Sequence, residues 1–248
     1  MKDNYERFVY LPDPHGDQQC EKSNRIAHEF MQDFKPEHII AGGDVFDFRN
    51  LRNGASKEDQ AESMEADVRM GKEWLLKFKP TTYLRGNHCE RLWDASEHHA
   101  NGMVQDVAQR GVRDITNIID GLGCEMIKYD FKQCKRIGRA KFAHSLFCPM
   151  HTAKKGAEYY GAGTTFLGHT HSIDYYQAQG IDFAECFVAG CLSRLDPKYA
   201  ERRANTSRWQ NGFCYGMIHK ISGHVMGFQA RGLQNGEWVF PSEMVVMS

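Results

Sequence analysis

The chain has 248 residues, a length within reach of a single α/β domain and sufficient to bury a core without disulfides. Hydrophobic residues make up 41% of the sequence, as in ordinary globular proteins. The formal net charge of -1 argues against a protein that holds long nucleic acid by bulk attraction, although it does not exclude a locally basic surface at a site. The 8 cysteines include no C-x-x-C pair, which argues against a disulfide framework.

The beginning of the chain is largely charged and lacks the apolar core of a signal peptide. No apolar run reaches the length that a membrane span requires. These features predict a soluble, cytoplasmic protein without a membrane partner, and they leave the oligomeric state open. No repeat or linker divides the chain, so residues 1–248 are predicted to form one domain.

Five short apolar runs, rich in β-branched and aromatic residues, are typical of buried strands. They occupy residues 8–11, 39–41, 82–84, 140–143 and 164–167. Because polar residues follow each run at once, every one of them is predicted to end where a loop begins.

Helical patterns separate the early strands. Ile26, Phe30 and Phe34 lie on one stripe, and this helix is predicted to stop before the Lys-Pro pair that follows. A second helix, with Ser56 as its N-cap, is predicted from a longer stripe. That stripe consists of Met64, Val68, Gly71, Leu75 and Phe78. Residues 94–123 are predicted to be mostly helical, ending at one of the last two glycines of this segment.

The sequence pattern changes after residue 172, where aromatic and alternating stretches replace the earlier alternation of strands and helices. Residues 183–188 and 213–218 read as antiparallel strands, with turns at Ser222-Gly223 and Asn235-Gly236. Alternating strands and helices followed by a strand-rich end predict an α/β fold in which helices cover the sheets.

Each of the five apolar runs is followed directly by residues that bind metal or phosphate. The candidate metal ligands among these residues are seven side chains with oxygen or imidazole donors: Asp13, His15, Asp44, Asn87, His144, His169 and His171. Residues at the carboxyl ends of neighbouring strands converge in open α/β sheets. Donors of this kind favour manganese, iron, zinc or nickel, and seven suffice for two ions if one carboxylate bridges.

The order of these motifs resembles the signature of the calcineurin-like metallophosphoesterases. It runs Asp-x-His, Gly-Asp-x-x-Asp, Gly-Asn-His, a lone His and Gly-His-x-His, over residues 8–171. Residues 190–192 and 208–213 are similar to small phage and bacterial members. The resemblance implies an αββα sandwich of two mixed β-sheets flanked by helices.

The resemblance also implies a ligand set for two divalent ions, with manganese as the first choice. One ion would be held by Asp13, His15 and His171, and the other by Asn87, His144 and His169, with Asp44 bridging. The implied reaction is hydrolysis of a phosphomonoester or phosphodiester, small or nucleotide-like, by in-line attack of a metal-bridging hydroxide. His88 would stabilise the transition state and protonate the leaving oxygen, and Asp47 would orient His88 and favour its charged form.

This sequence departs from the family pattern at three places. Cys89 replaces the acidic residue that usually follows Gly-Asn-His, Ser145 replaces a glycine, and Phe48 separates the second motif from Arg49. The last difference argues against a phosphoprotein substrate. For the fourth motif, His151 is an alternative to His144, which we favour because it directly ends a strand-like run.

Two other functions stay open. A nuclease of the same family would act on DNA or RNA and would need a basic groove. Residues 132–141 could supply it, although we interpret them as a strand or hairpin. Arg202, Arg203 and Arg208 could also supply it, and surface positions without a function are an equal alternative for them. The second is a metal-binding interaction scaffold that has lost catalysis. His88 and Asp47 argue against it, because holding metal does not require them.

Overall fold

The computed structural model describes residues 4–196 and 204–241. Its strands are β1 (Tyr5–Leu11), β2 (His38–Ala41), β3 (Thr82–Leu84), β4 (Glu125–Ile127), β5 (Lys135–Ile137), β6 (Ala140–Ala143), β7 (Gly163–Leu167), β8 (Ile173–Gln177), β9 (Ala184–Ala189), β10 (Gly212–His219), β11 (Val225–Gly232) and β12 (Trp238–Val239). Its helices are α1 (Glu21–Phe34), α2 (Lys57–Ala61), α3 (Glu65–Phe78), α4 (Asn87–His98), α5 (Gly102–Gly121) and α6 (Thr152–Tyr160). All five apolar runs of the sequence lie in strands, as predicted.

The strands form two mixed sheets. The first has 7 strands in the order β12-β11-β10-β1-β2-β3-β4, and β1 to β4 are parallel. The second has 5 strands in the order β5-β6-β7-β9-β8, with β6, β7 and β9 parallel. The predicted fold class, two mixed sheets flanked by helices, is confirmed.

An aromatic core lies between the two sheets. Side chains alternate across a strand, so Phe8 and Tyr10 of β1 point into this core, whereas Val9 and Leu11 point to the opposite face. The Phe166 ring of the second sheet lies 4.8 Å from that of Phe8 and 5.3 Å from that of Phe187, measured between centroids. This core therefore fixes the position of one sheet on the other.

Helices cover the outer face of each sheet. Val9 and Leu11 pack in a core that includes Trp74 and Phe78 of α3 together with residues of α1, α4 and α5. On the second sheet, α6 packs Ala153 and Ala157 against side chains of β7 and β9. The chain thus has four layers, helices outside and sheets inside.

The first predicted helix is confirmed, and the other two predictions need correction. Helix α1 ends at Phe34, as expected. Ser56 caps only the short α2, because the backbone at Glu62 turns to an extended conformation, and α3 begins afresh at Glu65. The segment 94–123 is likewise divided: α4 already begins at Asn87, and an extended residue at position 99 separates it from α5, which Asn101 caps.

The strand-rich end follows the prediction except at β9. The turns at Ser222-Gly223 and Asn235-Gly236 connect antiparallel strands. Strand β9 is antiparallel only to β8 and runs parallel to β7, because the chain crosses over between them. Among the described residues, no helix has the length and apolar character that crossing a membrane demands.

Removing the Phe166 ring should destabilise the fold through the core between the sheets. Phe166 is 0% exposed, so Phe166→Ala is expected to lower the free energy of unfolding by about 3–5 kcal/mol. Urea unfolding followed by circular dichroism measures the change. Ile181→Ala is the control, since that side chain is fully exposed and its removal should change stability little. Equal stability of the two variants would show that the sheets are held together elsewhere.

Candidate metal centre

The residues predicted to bind metal come together at one end of the two sheets. Loops after β1, β2 and β3 of the first sheet carry Asp13, Asp44 and Asn87, and loops after β6 and β7 of the second carry His144 and His169. Parallel strands deliver the residues that follow them to a common edge. The site is therefore built from both sheets.

One group of donors consists of Asp13, His15 and His171. The Nε2 atoms of the two histidines lie 3.1 Å apart, and Asp13 Oδ1 is 3.5 Å from His171 Nε2 and 3.9 Å from His15 Nε2. All three side chains are buried, and their ligand atoms lie within 4.8 Å of one another. This spacing is what a single cation coordinated by all three would need.

A second group consists of Asp44, His144 and His169, whose ligand atoms also lie within 4.8 Å of one another. His144 Nε2 is 3.2 Å from Asp44 Oδ2 and 3.0 Å from Asn87 Oδ1. The other ring nitrogen of His144 is 2.9 Å from the carbonyl oxygen of Gly42, to which it donates. In the neutral ring this hydrogen bond leaves Nε2 as the ligand atom.

Asp44 lies between the two groups. Besides its place with His144, it forms a further set of converging donors with His15 and His88. Its Oδ1 accepts the backbone N–H of His88 at 2.8 Å while Oδ2 faces His144. A carboxylate in this position is suited to bridge two ions.

The donors fit divalent cations. Asp13 Oδ1 and His169 Nδ1 are buried and lack a hydrogen-bond partner within the described part of the chain, a costly state for polar atoms unless an ion completes them. Burial lowers the pKa of His169 to about 3, which keeps this ring neutral, as a metal ligand must be. Burial also acts to lower the pKa of His144, but the carboxylates of Asp44 and Asp13 raise it to about 9. The cluster attracts positive charge.

The backbone at the site is held in an unfavourable conformation. A non-glycine residue with positive φ costs roughly 1–3 kcal/mol and is typical of functional sites. Five of the seven predicted ligands have such a φ: Asp13 (52°), His15 (55°), Asp44 (48°), His169 (86°) and His171 (55°). So many left-handed residues within one cluster are unusual for loops that only connect strands.

Two glycines allow the motifs to approach each other closely. A Cβ atom on Gly86 would lie 2.1 Å from Asp44 Oδ1, and one on Gly168 would lie 2.6 Å from Asp13 Oδ2. Any side chain at either position would displace a carboxylate of the cluster. This explains the glycines that precede Asn87 and His169.

Asp47 contacts two histidines, which extends the role predicted for it. Its Oδ1 lies 2.5 Å from His88 Nδ1 and 3.3 Å from His15 Nδ1. Although burial acts in the opposite direction, the hydrogen bonds of these two rings hold the pKa of Asp47 well below its usual range. Burial and the ring of His15 lower the pKa of His88, whereas Asp44 and Asp47 act to raise it, which for Asp47 is the predicted direction.

Sequence reasoning missed Asp67 of α3. Its buried carboxylate accepts the backbone N–H groups of Asp47 at 3.0 Å and Phe48 at 2.8 Å, and burial raises its pKa to about 6. Asp67 thereby holds the loop that carries Asp47. A signal was present in the sequence, since Asp67 occupies the buried helix face together with Gly71 and Trp74.

Cys148 was also not predicted as part of the site. Its exposed thiol lies 2.6 Å from Nε2 of His169. The other ring nitrogen, Nδ1, is the one without a hydrogen-bond partner among the described residues. A loop cysteine four residues after His144 has no pattern by which the sequence could indicate this contact.

His151 precedes α6 and lines a cleft with Trp209, outside the donor groups found in the described residues. Residues 135–143 form the β5–β6 hairpin, as predicted. Arg208 donates to the carbonyl oxygen of Met150, and Arg202 and Arg203 lie outside the described residues.

The three departures from the family pattern have local structural explanations. Cys89 is fully buried, and burial raises its pKa to about 12, so the thiol is neutral. Ser145 donates to the carbonyl oxygen of Phe147 at 2.8 Å. Phe48 adopts a left-handed conformation and Arg49 pairs with Asp17 at 2.7 Å, which places its charge beside the site without touching a predicted ligand.

No protein-family model matches the chain, and no curated protein matches it. Among solved structures the chain is similar to Vps29 from Chaetomium thermophilum, with 8% identity and a TM-score of 0.47 over 95% of this chain and 93% of that one. It is also similar to the phosphoesterase YfcE from E. coli, with 16% identity and a TM-score of 0.40 over 89% and 96%. A single mutant of Vps29 from Entamoeba histolytica matches with 12% identity and a TM-score of 0.35 over 70% and 89%.

The resemblance to the calcineurin-like metallophosphoesterases rests on the order of the five sequence motifs, and the two mixed sheets flanked by helices are the architecture that this resemblance implies. These structural likenesses are too loose to indicate a function.

Alanine substitution can decide which histidine completes the fourth motif. His144→Ala should lower the metal content of manganese-loaded protein, because His144 Nε2 faces Asp44 and Asn87. His151→Ala is the matched control and should leave metal content nearly unchanged. Elemental analysis after gel filtration measures both. The reverse result would assign the ligand to His151.

Proposed function

We propose that this protein is a binuclear-metal phosphoesterase that hydrolyses a small or nucleotide-like phosphate ester. The observation that carries the proposal is the presence of two groups of metal donors with Asp44 between them. They lie beside His88, whose ring is held by the carboxylate of Asp47. A purely structural metal site could use Asp47 to hold the ring of His15, but it would have no use for His88 and its contact with Asp47.

The proposed ligand set follows the two groups. Asp13, His15 and His171 would hold one ion. Asn87, His144 and His169 would hold the other, with Asp44 between them. When bound, two such ions act as Lewis acids, lower the pKa of water and neutralise charge on phosphoryl oxygens. Manganese fits the mixed oxygen and imidazole donors, and iron, zinc or nickel fit them as well.

His88 is proposed as the proton donor to the leaving oxygen. Its Nδ1 is engaged by Asp47 at 2.5 Å, so Nε2 is the ring atom that can reach a substrate. Burial disfavours the charged ring in the free protein. An anionic phosphate placed beside the ring would act to raise its pKa.

The first turn of α4 supports anion binding at the same place. Asn87 and His88 are its first two residues, and the positive end of a 12-residue helix favours a phosphate group there. Arg91, one turn further, donates to the carbonyl oxygen of Asp47 at 2.9 Å and adds positive charge near His88. These groups would orient and stabilise a phosphoryl group without taking part in bond breaking.

The alternative of a nuclease uses the same chemistry and differs only in substrate size. The net charge of -1 gives no general attraction for long nucleic acid, so a small substrate is preferred. An inactive scaffold is disfavoured by the contact of the partly exposed His88 ring with the buried Asp47, which metal holding would not require.

Metal removal tests the proposed function directly. Chelation followed by desalting should abolish the hydrolysis of bis-p-nitrophenyl phosphate, because the unpartnered donors would then lack their cations. Manganese should restore activity better than magnesium, since imidazole donors suit manganese and magnesium prefers oxygen. A magnesium, manganese, zinc and nickel series followed at 400 nm gives the measurement. Full activity in protein shown by elemental analysis to be metal-free would overturn the proposal.

Replacing His88 should separate catalysis from metal binding. His88→Asn is expected to keep metal content and fold while turnover falls roughly 10²–10⁴-fold, the range for losing a positioned proton donor. The loss should be smaller for p-nitrophenyl esters than for alkyl esters, whose leaving groups need a proton more.

Asp47→Asn is the companion variant. Because Asp47 contacts His15 as well as His88, this change should lower both turnover and metal content. Loss of metal in His88→Asn would instead make His88 a ligand, and an equal loss across leaving groups would reduce its role to charge stabilisation.

A further inference from the structure

A deep cleft opens beside the metal centre on the His88 side. Its volume is about 1040 Å³, and it lies between α4, the first half of α5 and the segment from residue 50 to residue 64. No step of the proposed hydrolysis uses this space. It is far larger than a phosphate group needs and falls at the upper end of the range for small-molecule sites.

Helix α4 leads from the metal centre into the cleft. Asn87, Arg91, Ala95 and His98 all line it and follow one another at helical spacing on one face. Asn87 is 3.0 Å from His144 at the metal centre, and His98 lies 11 residues further along, roughly 16 Å at 1.5 Å per residue. The cleft therefore starts at the reacting phosphate and has room for a group much longer than a methyl or glyceryl ester.

The cleft lies on the side from which the leaving group departs. Arg52 and Arg91 line it and also line a small cavity with His88 and Asp47. In the proposed hydrolysis the bond between phosphorus and the ester oxygen breaks, a water oxygen bonds to phosphorus, and the ester oxygen takes its proton from His88. The alcohol so formed is consequently released on the His88 side.

The walls combine apolar surface with hydrogen-bonding groups. Helix α5 contributes Met103, Val104 and Val107, and the Met103 and Val107 side chains are 77% and 49% exposed. The preceding segment contributes the side-chain amide of Asn53, and next to it that of Gln60, whose nitrogen donates to the carbonyl oxygen of Ala55. An apolar wall suits a flat ring, and amides are the groups that recognise the edge of a nucleobase.

Other leaving groups fit less well. A small alcohol would leave the apolar wall of α5 in water. An alkyl chain would cover that wall but desolvate the side-chain amide of Asn53 without giving it a partner, which is unfavourable. A nucleoside has both apolar faces and hydrogen-bonding edges.

We infer that this cleft binds the nucleoside leaving group of a nucleotide substrate. The inference rests on the proposed phosphoesterase function and narrows it to nucleoside phosphates, with Val107 and Asn53 as residues that determine specificity.

Binding of the nucleoside alone can be tested without metal or turnover. Metal-free protein should bind thymidine or adenosine in isothermal titration calorimetry, in the millimolar range or tighter. Val107→Trp, which fills the cleft from an exposed position, should abolish this binding, and Asn53→Ala should weaken it. Arg113→Trp is the matched control, an exposed residue of the same helix that does not line the cleft, and it should bind as the unchanged protein does. Absence of nucleoside binding in the unchanged protein would overturn the inference.

Kinetics with manganese-loaded protein then separate this inference from the proposed function. The ratio of kcat/KM for thymidine 5′-phosphate to that for methyl phosphate should be about tenfold or more, because both have alkyl leaving groups and only one fills the cleft. In Val107→Trp the ratio should fall close to one, and in Arg113→Trp it should not change. Hydrolysis of both esters at equal efficiency would refute the nucleoside cleft and leave the phosphoesterase intact. Hydrolysis of neither, nor of p-nitrophenyl esters, would refute the function itself.

Discussion

The structure is organised around negative charge that water cannot reach. Asp13, Asp44 and Asp47 are 0–1% exposed and lie within one cluster. An unpaired buried carboxylate costs several kcal/mol, so the surrounding chain has to supply positive charge and hydrogen-bond donors. Histidine rings and backbone N–H groups do this in part. One oxygen of Asp13 still lacks a hydrogen-bond partner among the described residues, and the carboxylates of Asp44 and Asp13 raise the pKa of His144 although burial acts to lower it, so the cluster keeps an attraction for positive charge.

The two sheets share the task of building this cluster. The carboxylates come from the first sheet, and His144, His169 and His171 come from the second. Their relative position is set by the aromatic core between the sheets, where Phe8 of one sheet packs on Phe166 of the other. A change deep in that core can consequently alter distances at the site without touching any residue of the site.

Much of this arrangement could be predicted from local sequence, because apolar runs mark buried strands and the donors follow them directly. The two helix predictions that were wrong depend on single residues with an extended backbone. The residue at position 62 ends α2, and the one at position 99 divides the next predicted helix into α4 and α5. Side-chain contacts between distant residues leave still less trace. The second contact of Asp47, with His15, and the contact of Cys148 with His169 exist only because loops from different strands meet, and no local pattern encodes that meeting.

The left-handed backbone at the predicted ligands has a consequence for engineering. Glycine adopts positive φ without strain, so replacing Asp13 or Asp44 by glycine would relieve conformational stress and remove buried negative charge in the same step. A library of variants selected for heat resistance alone would thus be enriched in variants that have lost predicted metal ligands. Directed evolution of this scaffold needs a selection for ligand or metal retention alongside thermostability, because here the two traits compete for the same residues.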